Sequence, residues 1–417
     1  MKKIIALCLA LCLAFGVVGC SLQTGDSSQN PPQNQGGTGT SGGEAPTEFH
    51  IGICTGTVAQ SEDELRGAEA FIAEYGLVED GGIVRHVTYP DNFMNEQETT
   101  IAQIASFADD PLIKAVVVNQ SIPGTVAAFK KIRETRPDII LISGIPQEDP
   151  NLTSEAADLV VDADNINRGY LMVLGAQKMG ADTFVHISFP RHMSVDLLAR
   201  RRAIIEEACK DLGLKYVSET APDPMSDVGI PGAQQFILEK MPAWVDQYGQ
   251  NTAFFCTNDA QTEPLLKRVA ELGAIFVEPD LPSPIMGYPG AFGIDLKDVA
   301  GDWPAILGKV EDVVIEKGGS ERMGTWAYSF NYTTTAALAE LAKRVVEGTA
   351  DLNSFDDMMD CFEKYTPGAS WSGSVYSDTD GNTEDNYILI YQDTYVFGKG
   401  YLGQTDEVVP DKYKTIK

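Results

Sequence analysis

Positive charge is scarce in this chain. Lysine and arginine number 31 against 60 aspartates and glutamates, a formal net charge of −29 over 417 residues. Phosphate binding needs a basic face, so nucleic acid is excluded as a partner. The acidity reads instead as solubility and colloidal stability outside the cell. Histidine occurs four times. There is no H-E-x-x-H, no G-x-S-x-G and no paired Cys/His zinc spacing, so catalysis has no motif behind it and no cofactor or metal is expected. Of seven cysteines, Cys54, Cys209, Cys256 and Cys361 are widely scattered through the body of the chain, which is no disulfide framework. Cys54 and Cys256 each end an apolar strand-like run and read as buried thiols, with a single disulfide left open.

Long apolar runs are also missing, with one exception. Met1-Lys2-Lys3 is followed by an uncharged stretch from Ile4 to Val18. A basic start before an apolar run is a secretory signal, and this run is short of the roughly 20 residues a membrane span needs. It ends Val17-Val18-Gly19-Cys20, which resembles a bacterial lipobox. That resemblance implies cleavage after residue 19 and lipidation of Cys20, which together with Cys8 and Cys12 in the signal completes the cysteine count. A diacylglyceryl group carries two chains, and two chains anchor stably where one holds only marginally. Residues 21–47, SLQTGDSSQNPPQNQGGTGTSGGEAPT, contain no aromatic residue and only Leu22 as a large aliphatic. Such a segment cannot bury enough surface to offset the entropy of ordering, so 20–47 reads as a lipidated cysteine and a disordered tether. A coil of this kind reaches roughly 30 Å on average.

From Phe49 the pattern alternates short apolar runs with helical segments. Strands are predicted at His50–Cys54, Ile83–Thr88, Ala115–Asn119, Ile139–Ser143 and Leu159–Asp162, with helices near Asp63–Tyr75, Asn95–Ala108 and Thr125–Arg136. Continuous apolar strands alternating with helices indicate a parallel sheet covered on both faces. The alternation restarts with helix Arg168–Lys178, strand Thr183–Ile187, helix Val195–Leu212, strand Lys215–Ser218, helix Ala233–Tyr248, strand Ala253–Cys256, helix Glu263–Leu272 and strand Ile275–Val277. Helices Pro304–Glu316 and Thr333–Glu347 add cover, and the last stretch is less regular and rich in aromatics. Two such blocks predict an α/β protein of two doubly wound parallel-sheet lobes with a hinge and a central cleft. Lobe 1 spans 48–163 and is completed by about 325–417; lobe 2 spans 164–324.

Several segments carry a family resemblance. DADNINRGYLMVLGAQKMGAD, LLARRRAIIEEACKDLGL, AFFCTNDAQTEPLLKRVAELGAIF, PIMGYPG and NYTTTAALAELAKRVVEG resemble, in order and spacing, the type I periplasmic-binding-protein superfamily, which includes sugar and amino-acid receptors and the effector domains of lactose-repressor-type regulators. SFPRHMS, QQFILEK and APDP further resemble an uncharacterised family of Firmicute lipoproteins with that fold. The resemblance implies a ligand-contacting role for Arg200, as in some sugar receptors, and for Asn258, with Asp259 fixing its loop. It departs at Pro289, which follows Tyr288 where the family's turn supplies an Asp to a sugar hydroxyl. An exported tether in place of a helix-turn-helix argues against a repressor.

In open α/β sheets ligands bind outside the carboxyl ends of the strands. The loops there supply Thr55, Thr57, Asn119, Gln120, Ser121 and Glu148 from lobe 1, and Arg191, His192, Asn258 and Tyr288 from lobe 2, with Arg200 on the following helix. Arg191 offers a planar fork suited to a carboxylate or phosphate, and His192 can donate to a ligand, titrate or pack. Ser194 is expected to cap the next helix, with Asp196 in its first turn. SDTDGNTED lacks the full calcium-loop pattern and reads as a hairpin turn between Ser374–Tyr376 and Tyr387–Tyr391. The function that follows is an extracytoplasmic, membrane-anchored solute-binding lipoprotein that captures a small polar ligand between two lobes for an ABC-type transporter permease. The alternative is a ligand sensor feeding a membrane signalling partner, with an enzyme built on His192 as a remote third.

Overall fold

Runs such as Ile-Lys-Ala-Val-Val-Val-Asn are rich in β-branched residues, which fit a pleated surface buried on both faces. The computed structural model describes residues 48–416, and this run and most of those like it lie there as strands of parallel sheets. The signal peptide, Cys20 and the tether lie outside the described residues. Among the described residues no helix is long and apolar enough to cross a membrane.

In chain order the first block is β1 (His50–Thr55), α1 (Val58–Tyr75), β2 (Val84–Thr88), α2 (Gln97–Ala105), β3 (Ile113–Asn119), α3 (Thr125–Thr135), β4 (Ile140–Gly144), α4 (Pro150–Ala156) and β5 (Leu159–Ala163). The second is α5 (Asn165–Lys178), β6 (Thr183–Ser188), α6 (Asp196–Leu212), β7 (Lys215–Thr220), α7 (Gly229–Tyr248), β8 (Thr252–Cys256), α8 (Asp259–Leu272), α9 (Tyr288–Phe292) and α10 (Trp303–Glu316). The chain ends with β9 (Gly324–Trp326), α11 (Phe330–Val346), α12 (Phe355–Tyr365), β10 (Trp371–Ser377), β11 (Thr383–Gln392), β12 (Thr394–Val396) and β13 (Gly400–Tyr401).

The first sheet has seven strands in the order β10-β11-β5-β4-β3-β1-β2, parallel from β11 to β2 and closed by the antiparallel β10–β11 hairpin. The second is the parallel β7-β6-β8. The predicted strand Ile275–Val277 is present only as single bridges, Ala253 with Ile275 and Phe276 with Met323. A third, antiparallel sheet, β13-β12-β9, joins chain segments far apart in sequence. This is an α/β fold of two doubly wound lobes around a cleft, of the type I periplasmic-binding-protein kind. The hairpin reading of SDTDGNTED holds: both Asp378 carboxylate oxygens are spent inside the turn, on the backbone amides of Asp380 and Asn382 and the Asn382 side chain.

Two packing features position the cleft. Helices α1 and α11 lie against each other at Gly67, where an added Cβ would stand 2.8 Å from Thr335 Cβ and closer still to the Tyr332 carbonyl oxygen. Gly67→Ala is therefore expected to lower stability by roughly 1–3 kcal/mol, the usual cost of overpacking, read as a lower urea midpoint. The other feature is the end of the chain. After Gln392 it leaves the first sheet, pairs β12 with β9, and packs its tail on the second lobe. Arg200, 1% exposed, holds that tail by donating to the carbonyls of Ser377 (3.0 Å), Lys414 (3.0 Å) and Ile416 (3.3 Å). Cys54, Cys209, Cys256 and Cys361 are all buried free thiols, so none forms the disulfide left open by the sequence.

Candidate ligand site between the lobes

Three segments pass between the two large sheets, and one carboxylate gathers them. Arg168, in the first turns of α5, donates to Glu278 at 2.8 Å, and its guanidinium lies 5.4 Å from the Trp326 ring centroid. The other Glu278 oxygen accepts from Trp326 Nε1 at 2.9 Å and from Thr394 Oγ1 at 3.0 Å. Arg168 also donates to the Pro279 carbonyl at 3.0 Å. Arg168 and Glu278 are 1% or less exposed, so this is a desolvated and satisfied network at the hinge.

Beside it the chain runs Asp280-Leu281-Pro282-Ser283 between a helix of each lobe. Asp280 pairs with Arg201, which is 1% exposed and also donates to Asn165 at 2.7 Å. The backbone amide of Leu281 lies by Asp259, at the start of α8, and favours its charged form. The Ser329 hydroxyl donates to Asp63 on α1, and the Ser283 hydroxyl lies by the same carboxylate. Next to Asp63, the buried Glu64 accepts from Asn331 Nδ2 at 2.7 Å. Asp63 and Glu64 of one lobe thus lie within electrostatic reach of Asp259 of the other, which has Asp280 beside it. Burial pushes the Glu64 carboxyl up to about 8, with Asp63 and Asp259 adding to the rise. Asp259 also rises to about 8, through burial first and then Asp280 and Asp63. Asp63 rises to about 6 by burial, against the pull of the two serine hydroxyls.

On the second-lobe rim, Ser188 and Thr257 share a hydrogen bond of 2.7 Å, His192 Nδ1 lies 3.2 Å from Thr257 Oγ1, and the His192 ring stacks on Phe189 at 4.2 Å between centroids. Burial depresses the His192 pKa, partly countered by Asp280. The Arg191 fork is engaged: it is half exposed and donates to both Asp223 oxygens at 2.7 and 2.9 Å. Ser194 does not cap α6. Its hydroxyl donates back to the Arg191 carbonyl in a short 3-10 turn, Val195 occupies the cap position without a side-chain acceptor, and Asp196 is in the first turn as expected.

The remaining sequence-predicted residues separate into two groups. Asn258 caps α8 through Ala260 N at 3.1 Å, and Thr57 caps α1 through Ala59 N at 3.2 Å and donates to Asp91. Both sit at strand ends facing the cleft. Thr55 is buried and bonded to His86 (2.9 Å), while Ser121 bonds Val118 O and Ser143. Asn119 is buried, donating to Asn331 O and Thr335 Oγ1. Gln120 accepts from Gln147 at 2.7 Å and Glu148 from the Val126 amide at 2.8 Å. Tyr288 is fully buried, its hydroxyl on the Gly324 carbonyl at 2.7 Å, and Arg200 is committed to the tail, so the structure places both away from the cleft group. Sequence reasoning missed Asp63, Glu64 and Asp280. The signal was faint: Glu62-Asp63-Glu64 looks like the acidic first turn of a helix starting at Asp63, but α1 starts at Val58 and places the acids a turn further in.

The two lobes have a fold of the type I periplasmic-binding-protein kind. A family model described as "Protein of unknown function (DUF3798)" matches residues 49–324, and the chain belongs to that family. A second family model matches residues 335–416. An uncharacterised protein of Treponema pallidum (strain Nichols) is 46% identical over 195 residues, covering 46% of this chain and 86% of that one. Among solved structures, a provisionally assigned transcriptional regulator from Clostridium difficile 630 superposes with a TM-score of 0.72 at 24% identity, covering 84% of this chain and 99% of that chain. An ABC transporter periplasmic solute binding protein from Actinobacillus succinogenes 130z with bound D-allose gives a TM-score of 0.48 at 15% identity over 73% of this chain and 93% of that chain.

Proposed function

We propose that this protein is a solute-binding lipoprotein, anchored outside the cell membrane through Cys20, which takes a small polar molecule between its lobes and presents it to an ABC-type permease. The observation that carries the reading is the inter-lobe face itself. Polar side chains from both lobes meet at a hinge of three crossing segments, and Asn331 Oδ1 and Asp259 Oδ1 are buried there without a hydrogen-bond partner among the described residues. Native interiors leave few such atoms unpaired, and a bound molecule is one way to satisfy them. Hinge closure around the molecule would change the shape the permease reads. No residue is assigned a catalytic role, and binding rather than catalysis is the activity this face supports.

Purified full-length protein should be stabilised in a thermal melt by its ligand. At a hundredfold excess over Kd the gain is about 2.7 kcal/mol. Silence across amino acids, sugars, nucleosides, amines and organic anions would remove the solute-binding reading. Cys20→Ala should move the protein from the membrane to the soluble fraction; persistent membrane association would refute the anchor.

A further inference from the structure

The carboxylates at the base of the cleft outnumber the cations that serve them. Arg168 is committed to Glu278 and Arg201 to Asp280. Among the described residues, Asp63, Glu64 and Asp259 form no ion pair with a lysine, arginine or histidine; serine hydroxyls, the Asn331 amide and the Leu281 backbone are what they hold. Glu64 is 1% exposed, and a buried carboxylate is ordinarily paired, because taking an isolated one out of water is costly. The groups left open here are also all of one kind. Asn331 is 6% exposed, its nitrogen donates to Glu64, and its Oδ1, on the same carbon and so beside that carboxylate, has no partner. Across the cleft Asp259 Oδ1 has none either. What this face lacks is donors carrying positive charge.

Resting on the solute-binding reading above, we propose that the ligand carries a protonated amine, which Glu64 and Asp259 receive from opposite lobes with Asn331 Oδ1 as a third acceptor. An ammonium has donors and no acceptor, which suits a face whose two unpartnered atoms, Asn331 Oδ1 and Asp259 Oδ1, are both acceptors. No group of three or more carboxylate, imidazole or thiol side chains among the described residues converges closely enough to hold a metal ion. Because the two acids lie in different lobes, the amine would bridge the lobes and favour the closed state. The raised carboxyls supply a signature: a cation between them draws them back toward ionisation, so binding near pH 7 releases protons.

The test uses full-length protein and one ring in three charge states, glucosamine, glucose and glucuronate, with pooled polyamines and basic amino acids, and calcium chloride as the metal arm. An amine-bearing compound should raise the melting temperature by several degrees. Calorimetry in buffers of different ionisation enthalpy should show protons released on binding. Glu64→Gln and Asp259→Asn should each weaken that binding tenfold or more. If glucose, glucuronate or calcium binds and no amine does, the proposal is wrong while the solute-binding reading stands. If nothing binds in any arm or in the wider screen above, that reading itself fails. An amine that binds without proton release, and with unchanged affinity in both variants, would place the cation elsewhere and overturn the proposal.

Discussion

Arg168→Ala is expected to lower the stability of the folded chain by about 3–5 kcal/mol, the usual result of removing one partner from a buried ion pair. The loss comes mainly from what remains. Glu278 is 1% exposed and would keep a charge with only Trp326 Nε1 and Thr394 Oγ1 as donors, and the Trp326 face would lose the guanidinium 5.4 Å away. Urea unfolding of the two proteins at pH 7 reads the difference as a shift in midpoint. Arg168→Ala with Glu278→Gln should recover much of it, because glutamine still accepts from Trp326 or Thr394 and buries no charge. If the double variant is no more stable than the single, the cost is lost packing of a large side chain rather than an orphaned carboxylate. Since Arg168, Trp326 and Thr394 come from the three segments that pass between the sheets, the single variant should also loosen the hinge, seen as faster amide exchange at those segments.

The sheet of each lobe was legible in the sequence because its strands are buried on both faces and so read as unbroken apolar runs between helices. Ala115 to Val118 and Ala253 to Cys256 are enough for that inference, since every residue in them is buried. Elements with mixed surroundings were harder. Helix α12 was not seen in the aromatic C-terminal stretch, and α4 has only seven residues behind an Asp149 cap. The parallel pairing of β11 with β5 joins positions more than 200 residues apart, as does the hold of Arg200 on the tail, and no local periodicity encodes either. Of the proposed site, the strand-end loops could be picked out in the sequence and the carboxylates could not. Strand-end loops pointed to the cleft and to Asn258 and His192. Arg191 stood out because a lone guanidinium after a buried strand suggests an anion, yet its partner Asp223 lies 32 residues on, at the end of a neighbouring strand. The carboxylate group is drawn from residues 63–64, 259 and 280. Each of these is an ordinary helix-start or loop acid by itself, and only the fold sets them against each other.

That arrangement predicts an unusual pH dependence. Stability should fall as pH rises from about 5 to 8, and Glu64→Gln should flatten the fall. Glu64 ionises near 4.5 in the unfolded chain and is pushed up to about 8 in the folded one. Between those values the folded chain keeps a proton the unfolded chain has lost, so raising the pH favours unfolding by up to about 1.4 kcal/mol per pH step. From pH 5 to pH 7 this one group accounts for roughly 2–3 kcal/mol. The carboxyl is 1% exposed, so solvent screens it little; Asp63 and Asp259 are partly accessible and should add smaller contributions of the same sign. The groups around it are Asp63 on its own helix, Asp259 across the cleft and Asn331, with Ser283 and Ser329 by Asp63, Asp280 by Asp259, Arg201 spent on Asp280, and His192 at the rim with its charged form disfavoured by burial. None of these supplies a positive charge to offset ionisation. In Glu64→Gln the amide oxygen still accepts from Asn331 while the charge is gone, so the variant should match the parent near pH 5 and exceed its stability at pH 8. Denaturant midpoints at pH 5, 6, 7 and 8 check this. Parallel curves for the two proteins would mean that Glu64 ionises normally in the folded chain, and the electrostatic argument for an unpaired carboxylate at the hinge would have to be abandoned.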